Sequence, residues 1–174
     1  MADLKMCPPQ GDHGLVMEKP TLYLETTIPS YLLATPSRDV VSLARQEITR
    51  AWWRRARGHF VMFVSDVVLE EANRGDSQAA GRRYEFLAQF PVLEATSAVE
   101  RLTELYARER IVPSDRSGDA AHLAFASVYR MQFLCTWNLK HLANAFALRR
   151  LRTLNDRRGL FTPQVCTPEE LLGD

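Results

Sequence analysis

The sequence predicts an α/β protein, a three-layer α/β/α sandwich built on a mainly parallel central sheet. Three observations carry this reading. Short apolar runs bounded by turn residues alternate along the chain with longer segments of helical period. Two of these runs, His59–Ser65 and Phe133–Thr136, are apolar nearly throughout, as interior strands of a parallel sheet are. The helical segments open on Ser, Thr or Asp and several close on glycine, so they read as separate connections between strands.

Taken in order, Thr21–Glu25 is a short buried strand closed by Thr26-Thr27-Ile28-Pro29, and Ile28–Leu33 is a first helix with proline near its start. After a break at Thr35–Arg38, Asp39–Arg57 is a long helix stopped by Gly58. Its apolar stripe is Val40, Leu43, Ala44, Ile48, Ala51 and Trp52. Trp52 and Trp53 cannot share a face, so one belongs to the core and the other to a base or a dimer interface. The strand His59–Ser65 leads into a helix capped by Ser65 and ended by Gly75, and Asp76 caps a helix over Ser77–Gln89. Val92–Ala95 is a strand, and Ser97-Ala-Val-Glu100 is a capping box opening a helix to about Arg110. A helix over Arg116–Arg130 precedes the strand Phe133–Thr136. Helical pattern resumes from Leu139 to Asn155, and a strand at Gln164–Cys166 and a helix from Pro168 complete the order. Residues 1–19 read as a flexible N-terminal segment and residues 20–174 as one domain.

Composition narrows the function. With 46% hydrophobic and 25% charged residues the chain is globular, and 8 Gly with 9 Pro exclude a collagen-like or low-complexity chain. A formal charge of +1 argues against a domain devoted to tight, sequence-blind grip on nucleic acid. Only Lys5, Lys19 and Lys140 are lysines among 22 basic residues, so the cationic surface is almost wholly arginine. Cys7, Cys135 and Cys166 show no zinc-ligand spacing, which fits a reducing compartment. The first 19 residues lack a signal-peptide apolar region, and no stretch approaches 18 apolar residues. The expected location is the cytoplasm, with no membrane association.

In parallel sheets, functional groups collect beyond the carboxyl ends of the strands. Glu25 ends the first strand, where it is either a helix-capping acid or a site carboxylate. Glu71 falls on the face of its helix shared by Val67 and Val68, whereas Glu70 points outward, so Glu71 needs an Arg partner, a metal or a solvent cavity. Asp119 and His122 share a face of the tightly packed Gly118–Ala126 segment; the histidine reads first as a satisfied structural residue. Thr136, Asn138 and His141 follow the Phe133–Thr136 strand, where Thr136 and Asn138 offer oxygen to a hard cation and His141 suits a phosphate or a carbonyl. Unpaired acids that converge repel one another. Mg²⁺ or Mn²⁺ resolves that repulsion, and such ions commonly serve phosphodiester hydrolysis by activating water.

The segments Tyr23-Leu-Glu-Thr-Thr-Ile-Pro-Ser-Tyr31, Ser65-Asp-Val-Val-Leu-Glu-Glu-Ala-Asn-Arg-Gly75, Gly118-Asp-Ala-Ala-His-Leu-Ala124 and Leu134-Cys-Thr-Trp-Asn-Leu-Lys-His141 together resemble the PIN-domain proteins. The resemblance is nearest to the VapC-like toxins of type II toxin–antitoxin modules, and it runs in order from residue 21 to Cys166-Thr-Pro-Glu-Glu-Leu-Leu172. It implies a PIN-like sandwich, a Mg²⁺- or Mn²⁺-dependent endoribonuclease, a cognate antitoxin partner and a homodimer. Carried over by position, Glu25, Glu71 and Asp119 hold the metal, and Asn138 joins them as a catalytic residue orienting water or phosphate. Thr136 and His141 are expected on the substrate side, and Arg54 and Arg149 stand for two local arginine concentrations, Arg54-Arg55 with Arg57 and Arg149-Arg150 with Arg152, that either guide RNA or form solvated helix faces. Two positions depart from the family pattern. Glu25 stands where the family usually has the shorter Asp, which shifts the metal or the backbone. Asn138 stands where many members have a fourth Asp, which weakens a second cation more than the first.

Two other classes compete. A PIN-fold module that binds RNA or protein without cleaving it retains the same pattern with a degraded site. A phosphotransfer receiver domain requires a strand-end Asp and a late Lys, where this chain has Glu25 and Lys140. Acids drawn to a metal also change the meaning of the balanced charge. The surface outside the site is more basic than the total, and RNA affinity depends on the metal.

Overall fold

Burial decides the middle of the sheet. Leu22, Tyr23 and Leu24 are consecutive and wholly inaccessible, and side chains alternate between faces along a strand, so both faces of this strand are covered. In the computed structural model, which describes residues 18–113 and 117–172, the strands are β1 (Thr21–Leu24), β2 (Val61–Ser65), β3 (Val92–Leu93), β4 (Phe133–Cys135) and β5 (Gln164–Cys166). They form one five-stranded, fully parallel sheet in the order β3-β2-β1-β4-β5. The helices are α1 (Thr27–Leu33), α2 (Val40–Ala56), α3 (Asp66–Ala72), α4 (Ser77–Leu87), α5 (Ser97–Arg108), α6 (Ser117–Val128) and α7 (Ala145–Arg158). Tyr23 faces α6, where its ring stacks on Phe125 at 6.4 Å. Leu22 and Leu24 therefore face the opposite layer, and the predicted α/β/α sandwich is the architecture observed.

The strand order creates a switch point. The chain builds β1, β2 and β3 outward in one direction and returns with β4 on the other side of β1. Connections leaving β1 and β4 diverge there, which opens a crevice at their carboxyl ends. Glu25 N donates to Cys135 O at 3.1 Å and closes the ladder at that edge.

Most helix boundaries follow from caps. Asp39 accepts from Ser42 N, Ser65 from Val68 N, and Asp76 from Ala79 N. Gly159 takes φ +63° after α7, the left-handed conformation glycine adopts without strain. Four expectations are corrected. The cap of α5 is Thr96, which accepts from Val99 N, so the opening lies one residue before the Ser97–Glu100 box. Residues 139–143 are turns folded back on Asn138 O, and α7 begins only at Ala145 because the Asn144 side chain accepts from Phe146 N and Ala147 N. Residues 168–171 form turns, not a helix; Thr167 N and Oγ1 both donate to Glu170 Oε2, a local bond that competes with helix formation.

The stripe on α2 is the fourth. Val40 is 78% exposed and Val41 59%, while Gln46, Thr49, Trp52 and Ala56 form the buried side. Gln46 earns its burial by accepting from Ser37 N and donating to Thr35 O, which straps the preceding loop to the helix. Trp52 is the core member of the pair, and half-buried Trp53 packs edge-on against Phe86 and Phe90 at 5.0 and 6.1 Å with the Arg57 guanidinium over its ring. The expected flexible segment 1–19 and Cys7 lie outside the described residues, apart from Glu18 and Lys19, as does Arg116. Cys135 and Cys166 are buried free thiols. No helix among the described residues is long and apolar enough to cross a membrane.

Candidate metal centre

The crevice at the switch point is lined from four directions. Glu25 arrives directly from β1, Glu71 from α3, Asp119 and His122 from α6, and Thr136 and Asn138 from the chain leaving β4. One potential ligand atom each from Glu25, Glu71 and His122 lie within 4.8 Å of one another, a spacing compatible with a metal ion.

Glu25 is 4% exposed and serves two purposes with its two oxygens. Oε2 accepts from Thr27 N at 3.0 Å, from Thr27 Oγ1 and from Thr136 Oγ1 at 2.8 Å. The capping role is therefore real: this oxygen satisfies an unpaired amide in the first turn of α1. Among the described residues, however, every hydrogen bond to Glu25 and to Glu71 falls on Oε2, so Oε1 of each carboxylate accepts none.

Glu71 lies on the inward side of α3, while Glu70 pairs on the surface with Arg74 at 2.8 Å. The partner of Glu71 is not an arginine. Its Oε2 accepts from Thr26 Oγ1 at 2.6 Å and from His122 Nε2 at 3.1 Å. Thr26 is the residue before α1, and its hydroxyl caps no amide there because it is committed to Glu71. Oε1 of Glu71 faces Gly118, where an added Cβ would stand 2.7 Å away. Glycine at that position keeps the space beside this oxygen open.

His122 is 1% exposed and uses both ring nitrogens. Nδ1 lies 2.8 Å from Tyr23 Oη, which in turn lies 2.7 Å from Ser65 Oγ. Burial alone lowers the pKa of the imidazole, but the Glu71 bond and the charges of Glu25, Glu71 and Asp119 more than reverse this and raise it. Burial likewise raises the Glu71 carboxyl, and the His122 bond, the His122 charge and the Thr26 bond outweigh it and hold it low. Nε2 therefore donates to the Glu71 carboxylate, and the Tyr23 hydroxyl links Nδ1 to Ser65 Oγ. Burial pushes the Tyr23 phenol well above its usual range, so it stays protonated for that task.

Asp119 and Asn138 form the other side. Asn138 Nδ2 donates to Asp119 Oδ1 at 2.8 Å, and Asn138 Oδ1 accepts from His141 N at 3.2 Å. Thr136, fully buried, links the two sides. Its Oγ1 donates to Glu25 and accepts from Asn138 N at 2.9 Å.

The structure thus brings Glu25, Glu71, Asp119, Thr136 and Asn138 to one edge, with half-buried His141 on the following turn. Arg149 is exposed in the second turn of α7, beside Phe146 and Arg150. Arg54 goes elsewhere. It sits at the carboxyl end of α2, a few residues before β2 begins, and so lies toward the amino edge of the sheet. Phe60, packed at 5.8 Å against Phe133 at the start of β4, marks that edge. Thr26 and Thr27, turn residues by sequence, bind the two carboxylates. Two adjacent hydroxyls directly after a strand-end acid were the available signal. His122 was read as structural, and its two satisfied nitrogens agree, although its place against Glu71 makes it part of the site.

No family model matches the chain, and no curated protein matches it. Among solved structures, one similar chain comes from the crystal structure of VapBC2 from Rickettsia felis bound to a DNA fragment from their promoter. It aligns at 13% identity over 84% of this chain and 98% of its own, with a TM-score of 0.48.

Proposed function

We propose that this protein is a Mg²⁺- or Mn²⁺-dependent endoribonuclease acting as the toxin of a type II toxin–antitoxin module, neutralised by a cognate antitoxin protein and working as a homodimer. The observation that carries the hydrolytic part is the pair of carboxylates at the switch point, each spending Oε2 on internal hydrogen bonds and keeping Oε1 for a ligand. The donor set fits the ion: carboxylate oxygens suit hard divalent cations, and Gly118 leaves room beside Glu71 Oε1. Glu25, Glu71 and Asp119 are the residues that would hold it. When bound, such a cation activates water and offsets the charge that develops on phosphate and leaving oxygen.

The rest falls to the chain's own side chains. Thr27 and Thr136 fix the Glu25 carboxylate in one orientation, and Thr26 and His122 do the same for Glu71. His122 also keeps Glu71 ionised in a half-buried setting. Asn138 positions Asp119, and in this reading His141 and Arg149 serve the substrate side. The toxin role, the antitoxin and the homodimer rest on the sequence resemblance of the four motif segments.

The test is cleavage of structured RNAs by purified protein with and without Mn²⁺ or Mg²⁺, beside Glu71→Ala and Asp119→Ala. Cleavage should require the metal and be lost in both variants; cleavage that survives both substitutions sinks the site. For the toxin role, expression should arrest growth unless a small DNA-binding protein encoded next to this gene is co-expressed.

A further inference from the structure

Arg45 is a half-buried cation that the site as described does not use. Its guanidinium lies 5.5 Å from the centre of the Trp137 ring and 6.0 Å from that of Tyr31, which themselves meet edge to face at 6.3 Å. Arg45 Nη1 donates to Tyr31 Oη at 3.3 Å. Some arginines of α2 and of other surfaces take carboxylates or carbonyls: Arg50 binds Glu47 and Ala34 O, Arg74 binds Glu70, and Arg83 binds Ala72 O and Arg74 O. Arg45 has no carboxylate within ion-pair distance among the described residues. Asp39 feels its charge from the start of the same helix, but the Asp39 carboxylate is spent on Ser42 N.

Position gives this cluster its meaning. Arg45 is in the second turn of α2, and that end of the helix lies toward the carboxyl edge of the sheet, since the other end feeds the start of β2. Trp137 connects the cluster to the carboxylates: its backbone N donates to Thr27 Oγ1 at 2.8 Å, and Thr27 Oγ1 donates to Glu25 Oε2. The indole is locked by its own bond from Nε1 to Thr49 Oγ1 at 2.8 Å. A guanidinium held between two rings, with one N–H given to Tyr31 Oη, keeps its remaining N–H groups for an anion, and holding it there costs little further entropy.

We infer that Arg45, held against Tyr31 and Trp137, binds a backbone phosphate of the RNA strand flanking the bond to be cleaved. This rests on the ribonuclease reading above and adds a binding residue to it. The rings supply the support and the guanidinium the charge-assisted contact that a carboxylate takes at Arg50 and Arg74.

The experiment is fluorescence anisotropy of a labelled single-stranded RNA of mixed sequence across a salt titration. Ca²⁺ replaces Mg²⁺, and wild type is compared with Arg45→Met and Arg45→Lys. Arg45→Met should bind about tenfold more weakly, the size of one charge-assisted contact. Its log–log salt slope should fall by about 0.7, one phosphate on a single strand. Arg45→Lys should keep the slope and recover only part of the affinity. An Arg45→Met protein with an unchanged slope overturns the inference even if it has lost stability, and so does a wild type that binds no RNA. If Arg45→Met does not fold, an Arg45→Lys protein with wild-type affinity overturns it instead. The two readings separate cleanly. Metal-dependent cleavage that needs Glu71, together with an unaltered slope in Arg45→Met, removes the phosphate contact alone. A lost contact in a protein that cleaves nothing removes the hydrolysis alone.

Discussion

His122 Nε2 and Glu71 Oε2 stand 3.1 Å apart, brought together across 51 residues of chain, with the imidazole 1% and the carboxylate side chain 24% exposed. The pair sits at the meeting of α3 and α6 and ties both helices to β1 through Tyr23. Its members are shifted in opposite directions from ordinary values of 4.5 and 6.5, the carboxyl down and the imidazole up.

Stability should therefore fall on both sides of an intermediate pH in protein freed of metal by a chelator. The Glu71 contribution is present above its unfolded value and lost as pH falls through the lower folded one. The His122 contribution is complete below its unfolded value and lost as pH rises through the higher folded one. Denaturant midpoints measured across pH should show a plateau between the two. His122→Gln should lower stability by about 1–3 kcal/mol and flatten the alkaline limb. An alkaline limb that persists unchanged in His122→Gln would place its origin in another group.

Gly118→Ala separates the site from the scaffold. The added Cβ would lie 2.7 Å from Glu71 Oε1, and that oxygen belongs to a side chain held at its other oxygen by Thr26 and His122. The carboxylate must turn or lose its bonds. Gly118 lies in the first turn of α6, so alanine there interrupts no helix, and any loss of stability should not exceed that of removing the His122 bond. Calorimetric titration with Mn²⁺ should show affinity reduced about tenfold or more in a variant that still folds. Equal affinity in the variant would mean that Glu71 Oε1 is not a ligand.

The parts of this site that were legible in the sequence are those that interrupt an apolar pattern. Glu25 breaks the run of β1, and Glu71 intrudes on the inward face of α3; both meet in the crevice. The illegible parts are polar groups whose burial depends on partners far along the chain. Thr26 and Thr27 look like a turn until α3 and β4 bring Glu71 and Trp137 against them. Gln46 and Thr49 look like the wet side of α2, yet they face inward because the loop before the helix and the Trp137 indole need their hydrogen bonds. Val40 and Leu43 then fall outside, against their hydropathy. Arg54 shows a different limit. A cluster of arginines is visible in one dimension, but its distance from the acids depends on which end of α2 meets which edge of the sheet.

Thr136 is the hinge between the two sides of the crevice, and its hydroxyl gives one bond to Glu25 and takes one from Asn138 N. Thr136→Val keeps the shape and removes both. The cost should be about 1–3 kcal/mol by chemical denaturation, because a fully buried site leaves the orphaned groups no water. Thr136→Ser restores the oxygen and should recover most of that loss. If valine is as stable as threonine, the hydroxyl is not what orders the Glu25 carboxylate.

Asn138→Asp tests whether the amide stands in for a charge. In the present chain Asn138 Nδ2 donates to Asp119 Oδ1 at 2.8 Å, so an aspartate there places oxygen against oxygen. Without metal the two carboxylates repel, and one of them should titrate well above the usual carboxylate range. The chelated variant should be less stable than wild type near neutral pH by about 1–2 kcal/mol, and acidification should narrow the gap as the shared proton is taken up. Mn²⁺ should reverse the order, because a cation that binds only the folded state stabilises it by mass action, more strongly where an extra negative charge receives it. Melting curves of both proteins in chelator and across a Mn²⁺ titration give the comparison directly. A variant whose gain from Mn²⁺ does not exceed that of wild type would show that residue 138 lies outside the reach of the cation, and that Asp119 is held by Asn138 for a structural purpose alone.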